Sequence, residues 1–233
     1  LYFKMEFFKI LYNSFILIFS FNLDLYEIIF LSIRTSLFAT IIASFLGIIT
    51  AYYLANNKSN LFKIITLFLN SLTGIPPVVA GLIVFFIFSD NGPFGIFNII
   101  YSPTAMVIAQ IIIVYPIISS LIKELFEEFY FHYSDSLKSY NMKNFTVIYI
   151  FIKNNHYMVL TILLTAFGRA ISEVGAVMIV GGNIEHYTRV MTSAISLETS
   201  MGNLEKAMSL GIILILITLI INFFSFKLNK RLY

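Results

Sequence analysis

A chain of 233 residues that is 59% hydrophobic and only 12% charged is not an ordinary soluble domain, which carries about a quarter charged residues, and its mean hydropathy of +0.89 marks a membrane protein. The net charge of +3, with no basic cluster interleaved with aromatics, argues against nucleic acid as a partner. With no cysteine, disulfide scaffolds, thiolate metal sites and cysteine nucleophiles are excluded.

Residues 1–4 precede Met5 and are left out of the reading. Met5–Phe21 is apolar but broken by Glu6 and Lys9, and its clean run Phe15–Phe21 is too short to cross a bilayer. Residues 5–27 therefore read as an amphipathic segment lying in the interface, or else as a signal-peptide core lacking a small-residue cleavage site. Ile28–Ala55 is the first expected span, with Arg34 near its start and Ala39, Ala43, Ser44 and Gly47 permitting close helix packing. Asn56–Asn60 is a polar turn, and Leu61–Phe88 is the second span, interrupted at Gly74-Ile75-Pro76-Pro77. Two consecutive prolines remove backbone donors and disfavour helix before them. Freed backbone groups at membrane depth are tolerated only against protein or a water-lined cavity. The break is thus either a packing kink or a discontinuous helix facing a substrate path, with Gly74, Pro76 and Pro77 as candidate lining.

Ser89–Pro103 contains Asp90, Asn91, Gly92, Pro93 and Gly95 but no Lys or Arg, and reads as an external loop. Thr104–Ile122 is the third span, bent at Pro116, and Tyr157–Val180 the fourth, stopped by Gly181-Gly182-Asn183. Thr188–Ser200 reads as a short helix outside the lipid, closed by Gly202. Asn203 can cap the fifth span, Ala207–Phe226. The fold class expected is all-α and polytopic, one domain over residues 1–233 with a five-helix core at 28–226. Lys58, Lys63, the lysines of 123–156 and the tail Lys227, Lys230, Arg231 then fall on one side, which places the C-terminus in the cytoplasm.

Between the third and fourth spans lies a polar island, Lys123–His156. Lys123–Glu128 continues the third span into water, and Ser134 can cap a short helix over Asp135–Tyr140. Asn141 suits a left-handed helix end. Phe145, Ile148, Tyr149 and Ile152 then repeat at helical spacing. The island is either a solvated connector or an elbow through which a soluble partner moves the spans. His132, His156 and His186 are scattered without metal-ligand spacing and read as interfacial polar residues.

Asp135-Ser136-Leu137-Lys138-Ser139-Tyr140-Asn141-Met142 sits where permease subunits of ATP-binding-cassette importers carry their Glu-Ala-Ala…Gly loop. Asp135 stands for the glutamate and Asn141 for the glycine; Ser136 and Leu137 replace alanines, and Lys153-Asn154 replaces a later Leu-Pro. Closer matches are Leu31–Leu37, Leu72–Val84 (LTGIPPVVAGLIV), Asn91–Pro93, Ser102–Gln110 (SPTAMVIAQ), Gly168–Asn183 (GRAISEVGAVMIVGGN) and Thr188–Thr199 (TRVMTSAISLET). Together they resemble tungstate-type permeases, with molybdate permeases as near relatives. The resemblance implies a type I importer permease that works as two copies of this chain, with two cytoplasmic ATPase subunits docked on residues 135–142. It implies an external tungstate-binding protein, and a bacterial or archaeal plasma membrane. It further implies that this chain is not an enzyme and binds no cofactor, ATP and magnesium being used by the ATPase. Molybdate or sulfate is the alternative cargo.

Arg169 and Glu173 lie four apart in the expected fourth span, and a buried pair at that spacing reads as structural, or as part of a gate or oxyanion path. A carboxylate on an anion path repels its cargo. Hydroxyls and N–H groups of Gly74–Pro77, Thr192 and Ser193 are therefore the better path candidates. Against an intramembrane hydrolase, no span places a His or Asp beside a serine. A scaffold does not need the broken second span. A secondary transporter would usually show an inverted repeat, which the halves lack.

Overall fold

The computed structural model describes residues 2–20, 22–57, 59–139 and 142–229. All regular structure among them is helical. The helices are α1 (Tyr2–Phe19), α2 (Leu23–Asn56), α3 (Asn60–Leu72), α4 (Pro77–Phe88), α5 (Pro103–Ser139), α6 (Asn144–Asn154), α7 (His156–Ile171), α8 (Gly175–Gly181), α9 (Met191–Ser200) and α10 (Leu204–Asn229), with a 3₁₀ turn at Gly95–Phe97. Among the described residues, α2, α5 and α10 are long and apolar enough to cross a membrane, and five spans result if the pairs α3–α4 and α6–α7 each count as one. Phe30, Phe45, Phe68, Phe86 and Phe145 lie on the outside of the chain, as suits a protein whose solvent is partly hydrocarbon.

Three boundaries differ from the sequence reading. The first span starts at Leu23, not Ile28, because Asn22 accepts the Leu25 N–H and the Asp24 carboxylate in the first turn favours the helix start. The third helix, expected to continue into water as far as Glu128, runs on to Ser139: α5 is 37 residues long, and no glycine or proline follows Pro116 within it. The fourth span is not one helix: α7 ends at Ile171 and α8 starts at Gly175. Between α3 and α4 the chain breaks as the prolines dictate, and Pro77 opens α4 at the position where a missing N–H costs nothing.

The chain divides into two compact units, residues 1–38, 77–110 and 171–220 in the first and 39–76, 111–170 and 221–233 in the second. In the first, α4 packs on α8 with almost no side chain between. A Cβ on Gly81 would fall 2.7 Å from the Ala176 Cα, and one on Gly175 2.7 Å from a Val78 methyl. α8 ends in a left-handed turn, Gly182 at φ +68 and Asn183 at φ +51. A side chain at Gly182 would strike the Tyr101 ring at 2.7 Å, and the Tyr101 N–H is itself bound to the Val180 carbonyl at 2.8 Å. α1 joins α10 through a polar seam. Asn13 donates to the Glu205 carboxylate at 2.6 Å, and the Ser209 hydroxyl to the Ser14 carbonyl at 3.2 Å.

The second unit is held by an aromatic cluster. Phe126 and Phe151 stack at 3.5 Å between centroids, with Phe129 edge-on to Phe151 and Tyr52 edge-on to Phe126. Tyr52 donates to Asn144 at 2.9 Å, so α2 and the start of α6 are tied by a hydrogen bond beside the stack. α6 and α7 bend by 86° at Asn155.

Candidate functional site

The elbow is shorter than the sequence suggests. Asp135, Ser136, Leu137, Lys138 and Ser139 are the last turn and a half of α5, not a separate helix. Ser134 caps nothing, since its hydroxyl contacts only the neighbouring Asp135 carboxylate at 3.5 Å. Asp135, Ser136 and Ser139 are exposed and Leu137 is half-buried, with the Ser139 hydroxyl donating to the Asp135 carbonyl at 2.8 Å. Tyr140 and Asn141 lie outside the described residues. Beyond them the Met142 N–H returns to the Leu137 carbonyl at 3.4 Å, the 6→1 bond that closes a helix end before the chain reverses.

α6 then starts at Asn144, but its buried face is Val147 and Phe151, while Phe145 and Tyr149 are exposed. The expected stripe Phe145–Ile152 is therefore not the face that packs. α6 is apolar nearly all round, so periodicity cannot choose a face, and the choice falls to the rings waiting on α5. The elbow opens on a cavity of about 1200 Å³ lined by Leu137, Met142 and Asn144, by Tyr52, and by Lys63 and Lys123.

At the break after α3, Gly74 and Pro76 are exposed and Pro77 is half-buried. The Gly74 and Ile75 N–H groups are already given to the Ser71 and Leu72 carbonyls at 3.3 and 3.1 Å. This state therefore offers an anion no free N–H from Gly74–Pro77. Thr192 and Ser193 are buried at the start of α9. The Thr192 hydroxyl donates to the Glu173 carbonyl at 2.7 Å, and Ser193 bonds Asn183 at 2.8 Å while accepting the Val190 N–H at 3.1 Å. The Thr192 hydroxyl thus ties the start of α9 to the α7–α8 link, and the Ser193 hydroxyl holds the α8–α9 connection together. Thr192→Val keeps the shape and leaves that carbonyl without its donor, so we expect a loss of about 1–2 kcal/mol, read as a lowered unfolding midpoint in detergent.

Arg169 and Glu173 do not share a helix. Arg169 is in the last turn of α7, and Glu173 is in the link before α8. The Glu173 side chain is 4% exposed, and its carboxylate accepts the Val174 N–H at 3.1 Å. A carboxylate that captures the next amide competes with the helix ladder, which ends α7 early. Both charged groups have partners within the chain.

A second charged cluster involves residues to which the sequence alone assigned no role as a group. The Glu198 carboxylate, nearly buried, is held by Lys206 at 2.8 Å and by the Asn203 amide at 2.9 Å. Burial pushes this carboxyl up, but the hydrogen bonds from Lys206 and Asn203 outweigh it and keep it below the ordinary glutamate value. Asn203 is thus turned toward Glu198, although its carbonyl still accepts the Ala207 N–H at the start of α10. Arg189 pairs with Glu185 at 2.8 Å and His186 with Glu27 at 2.7 Å. The i, i+4 spacing of Glu185 and Arg189 was a visible signal. The Glu27–His186 contact was not, because 159 residues separate the partners.

The hydrogen bond to Glu27, reinforced by that carboxylate's charge, raises the His186 pKa above the usual histidine value. A raised value means that the bound loop gains stability while His186 is protonated, fully below about 6.5, and loses it as pH climbs through the folded value. Amide exchange in residues 184–190 should therefore quicken with pH beyond the intrinsic base-catalysed rise. In His186→Gln that excess should vanish. The effect is small, because the pair is exposed.

Among the described residues, no group of three or more His, Cys, Asp or Glu is placed to hold a metal. Compared with known proteins, residues 43–232 match the family described as binding-protein-dependent transport system inner membrane component. The chain is 36% identical to the tungstate uptake system permease protein TupB of Peptoclostridium acidaminophilum, over 92% of this chain and 94% of that one. It is 33% identical to the TupB permease of Campylobacter jejuni, over 72% of this chain and 70% of the relative. A probable anion ABC transporter permease of Haloferax volcanii is also 33% identical, over 72% of this chain and 75% of its own length.

Proposed function

This chain belongs to the family of inner membrane components of binding-protein-dependent transport systems, and from that premise we propose that it is the permease of a tungstate importer. The observation that carries the cargo is the 36% identity to a tungstate permease along nearly the whole of both chains. A multi-pass permease of this family works with an ATPase and a binding protein. Our reading adds that two copies of this chain pair, that two ATPases sit in the cytoplasm with the C-terminus, and that ATP and magnesium are used there. The cargo explains the need for a motor. Bringing a dianion into a negative-inside cell costs about 2.3 kcal/mol per charge per 100 mV, so about 4.6 kcal/mol in all.

In this reading the ATPase grips residues 135–142, of which 135–139 are the last residues of α5. α5 holds no glycine or proline between Pro116 and Leu137, about 30 Å at 1.5 Å per residue, so a push at Leu137 travels along a stiff stretch of helix. The broken stretches at Gly74–Pro77 and at Ser172–Val174 are the places where backbone hydrogen bonds can be exchanged as the path opens. Thr192 and Ser193 are then path groups only in a state where they release their present partners. Arg169 and Glu173 serve as a structural pair that steadies the second of these breaks.

The test is ATP-dependent uptake into vesicles that contain the assembled complex, with tungstate and molybdate in competition. Saturable tungstate uptake that molybdate displaces only in large excess supports the assignment. Preference for molybdate or sulfate moves the cargo to those oxyanions. Uptake that needs no co-purifying ATPase overturns the reading in favour of a secondary transporter.

A further inference from the structure

We infer that Arg34 is a binding residue for the tetrahedral oxyanion on its way through the permease, an inference that rests on the function proposed above. Arg34 stands in α2, seven residues past Glu27, or about 10 Å of helix rise. It is exposed on this chain. Its face is apolar, with Phe30, Leu37, Phe38 and Ile41 exposed around it.

The opposite face of α2 is consumed inside the chain. Ser32 accepts the Met191 N–H at 2.7 Å and Ser36 accepts from Gln110 at 3.1 Å. Among the described residues, no acid lies within ion-pair distance of Arg34. Its guanidinium instead lies 6.0 Å from the centre of the Phe38 ring, one turn deeper along the helix than Arg34 itself and away from the charged surface at Glu27 and His186. A cation on such a face is costly in hydrocarbon, and an intramembrane charge of this kind marks an ion pathway or a partner. Arg169 and Glu173 are already engaged within the chain; Arg34 has its donors to give.

Guanidinium presents a planar fork of N–H donors, which suits the oxygens of a tetrahedral anion. Two copies of the chain supply two such forks, which balance a dianion. A lipid phosphate offers the same oxygens, and a carboxylate on the second copy offers a similar pair, so the test has to separate these sources.

The chain contains no cysteine, so Arg34→Cys places a single thiol in the permease. The complex with its ATPase is reconstituted in vesicles, and tungstate uptake is followed before and after water-soluble methanethiosulfonates, with the unsubstituted complex as control for partner thiols. Arg34→Cys should lower uptake ~10-fold or more, the scale of a lost charge-assisted hydrogen bond. Attachment of a cationic aminoethyl group should restore much of it, and a neutral methyl group should not. Tungstate should slow the labelling, and Arg34→Lys should keep most of the uptake.

Labelling only by lipid-soluble reagents would place the side chain against lipid and overturn the inference. So would loss of the two-copy assembly in Arg34→Gln and Arg34→Lys alike, which would mean a partner acid. Full uptake by an assembled Arg34→Gln complex would overturn it while leaving the transport reading intact. Failure of the unsubstituted complex to move tungstate or molybdate would remove both.

Discussion

Leu137→Glu should leave ATP hydrolysis running while tungstate uptake falls ~100-fold or more, the loss expected when the centre of an interface is spoiled by an unpaired charge. Leu137 is half-buried at the last turn of α5 and lines the cavity beside the elbow. Its backbone carbonyl, which accepts the Met142 N–H, is unaffected by the substitution, so the chain reversal itself should survive. The change therefore acts on what docks at the elbow more than on the fold. Leu137→Met, close in volume and apolar, should retain near-normal uptake. The two variants are compared for the unfolding midpoint of the permease, for co-purification of the ATPase, and for hydrolysis stimulated by loaded binding protein. In Leu137→Glu the midpoint should hold, while stimulated hydrolysis and import part company. Import at the normal rate in Leu137→Glu would show that the end of α5 is not where the motor pulls.

The features that punctuate the backbone were visible in the sequence. Pro76-Pro77 broke the second span, Gly182-Asn183 ended α8 with two positive φ angles, and the polar island marked the turn between α5 and α6. Each of these is a local matter, decided by missing donors, permitted φ values or charge. The break at Ser172–Val174 was not visible, because its cause is tertiary. Glu173 is buried, takes the Val174 N–H, and has its carbonyl fixed by Thr192, which lies 19 residues on. Nor could the packing face of α6 be chosen, since Phe126 and Phe129 had first to be placed on α5. The short helix expected at Asp135 illustrates the opposite error. Ser134 is a good cap in isolation, yet a helix already running through Glu128 gains more by continuing than by stopping for a serine. The pairs Glu198–Lys206 and His186–Glu27 were missed because each joins one element to another rather than one helix turn to the next.

Gly81→Val should be strongly destabilising, lowering stability by about 3 kcal/mol or more, at or beyond the top of the usual range for overpacking. The reason lies in what the added Cβ meets: the Ala176 Cα at 2.7 Å and its carbonyl oxygen at 3.0 Å. A side chain can rotate aside, but these are backbone atoms, so α4 and α8 have to separate. α4 follows the break at Pro76 and α8 follows the break at Glu173, so their contact fixes the far side of both irregular stretches. Gly168→Ala supplies the contrast, since its Cβ meets only an Ile221 methyl at an ordinary 3.8 Å. Alanine also favours helix over glycine by about 1 kcal/mol, so this variant should be neutral or slightly stabilised. Thermal unfolding of the purified permease in detergent separates the two. Adding Ala176→Gly to Gly81→Val distinguishes the cause: a clash with the Ala176 methyl would be relieved, whereas the backbone clash seen here would not. Recovery in that double variant would mean that α4 and α8 are held apart by side chains and can slide, and the stiffness assigned to this contact would be lost.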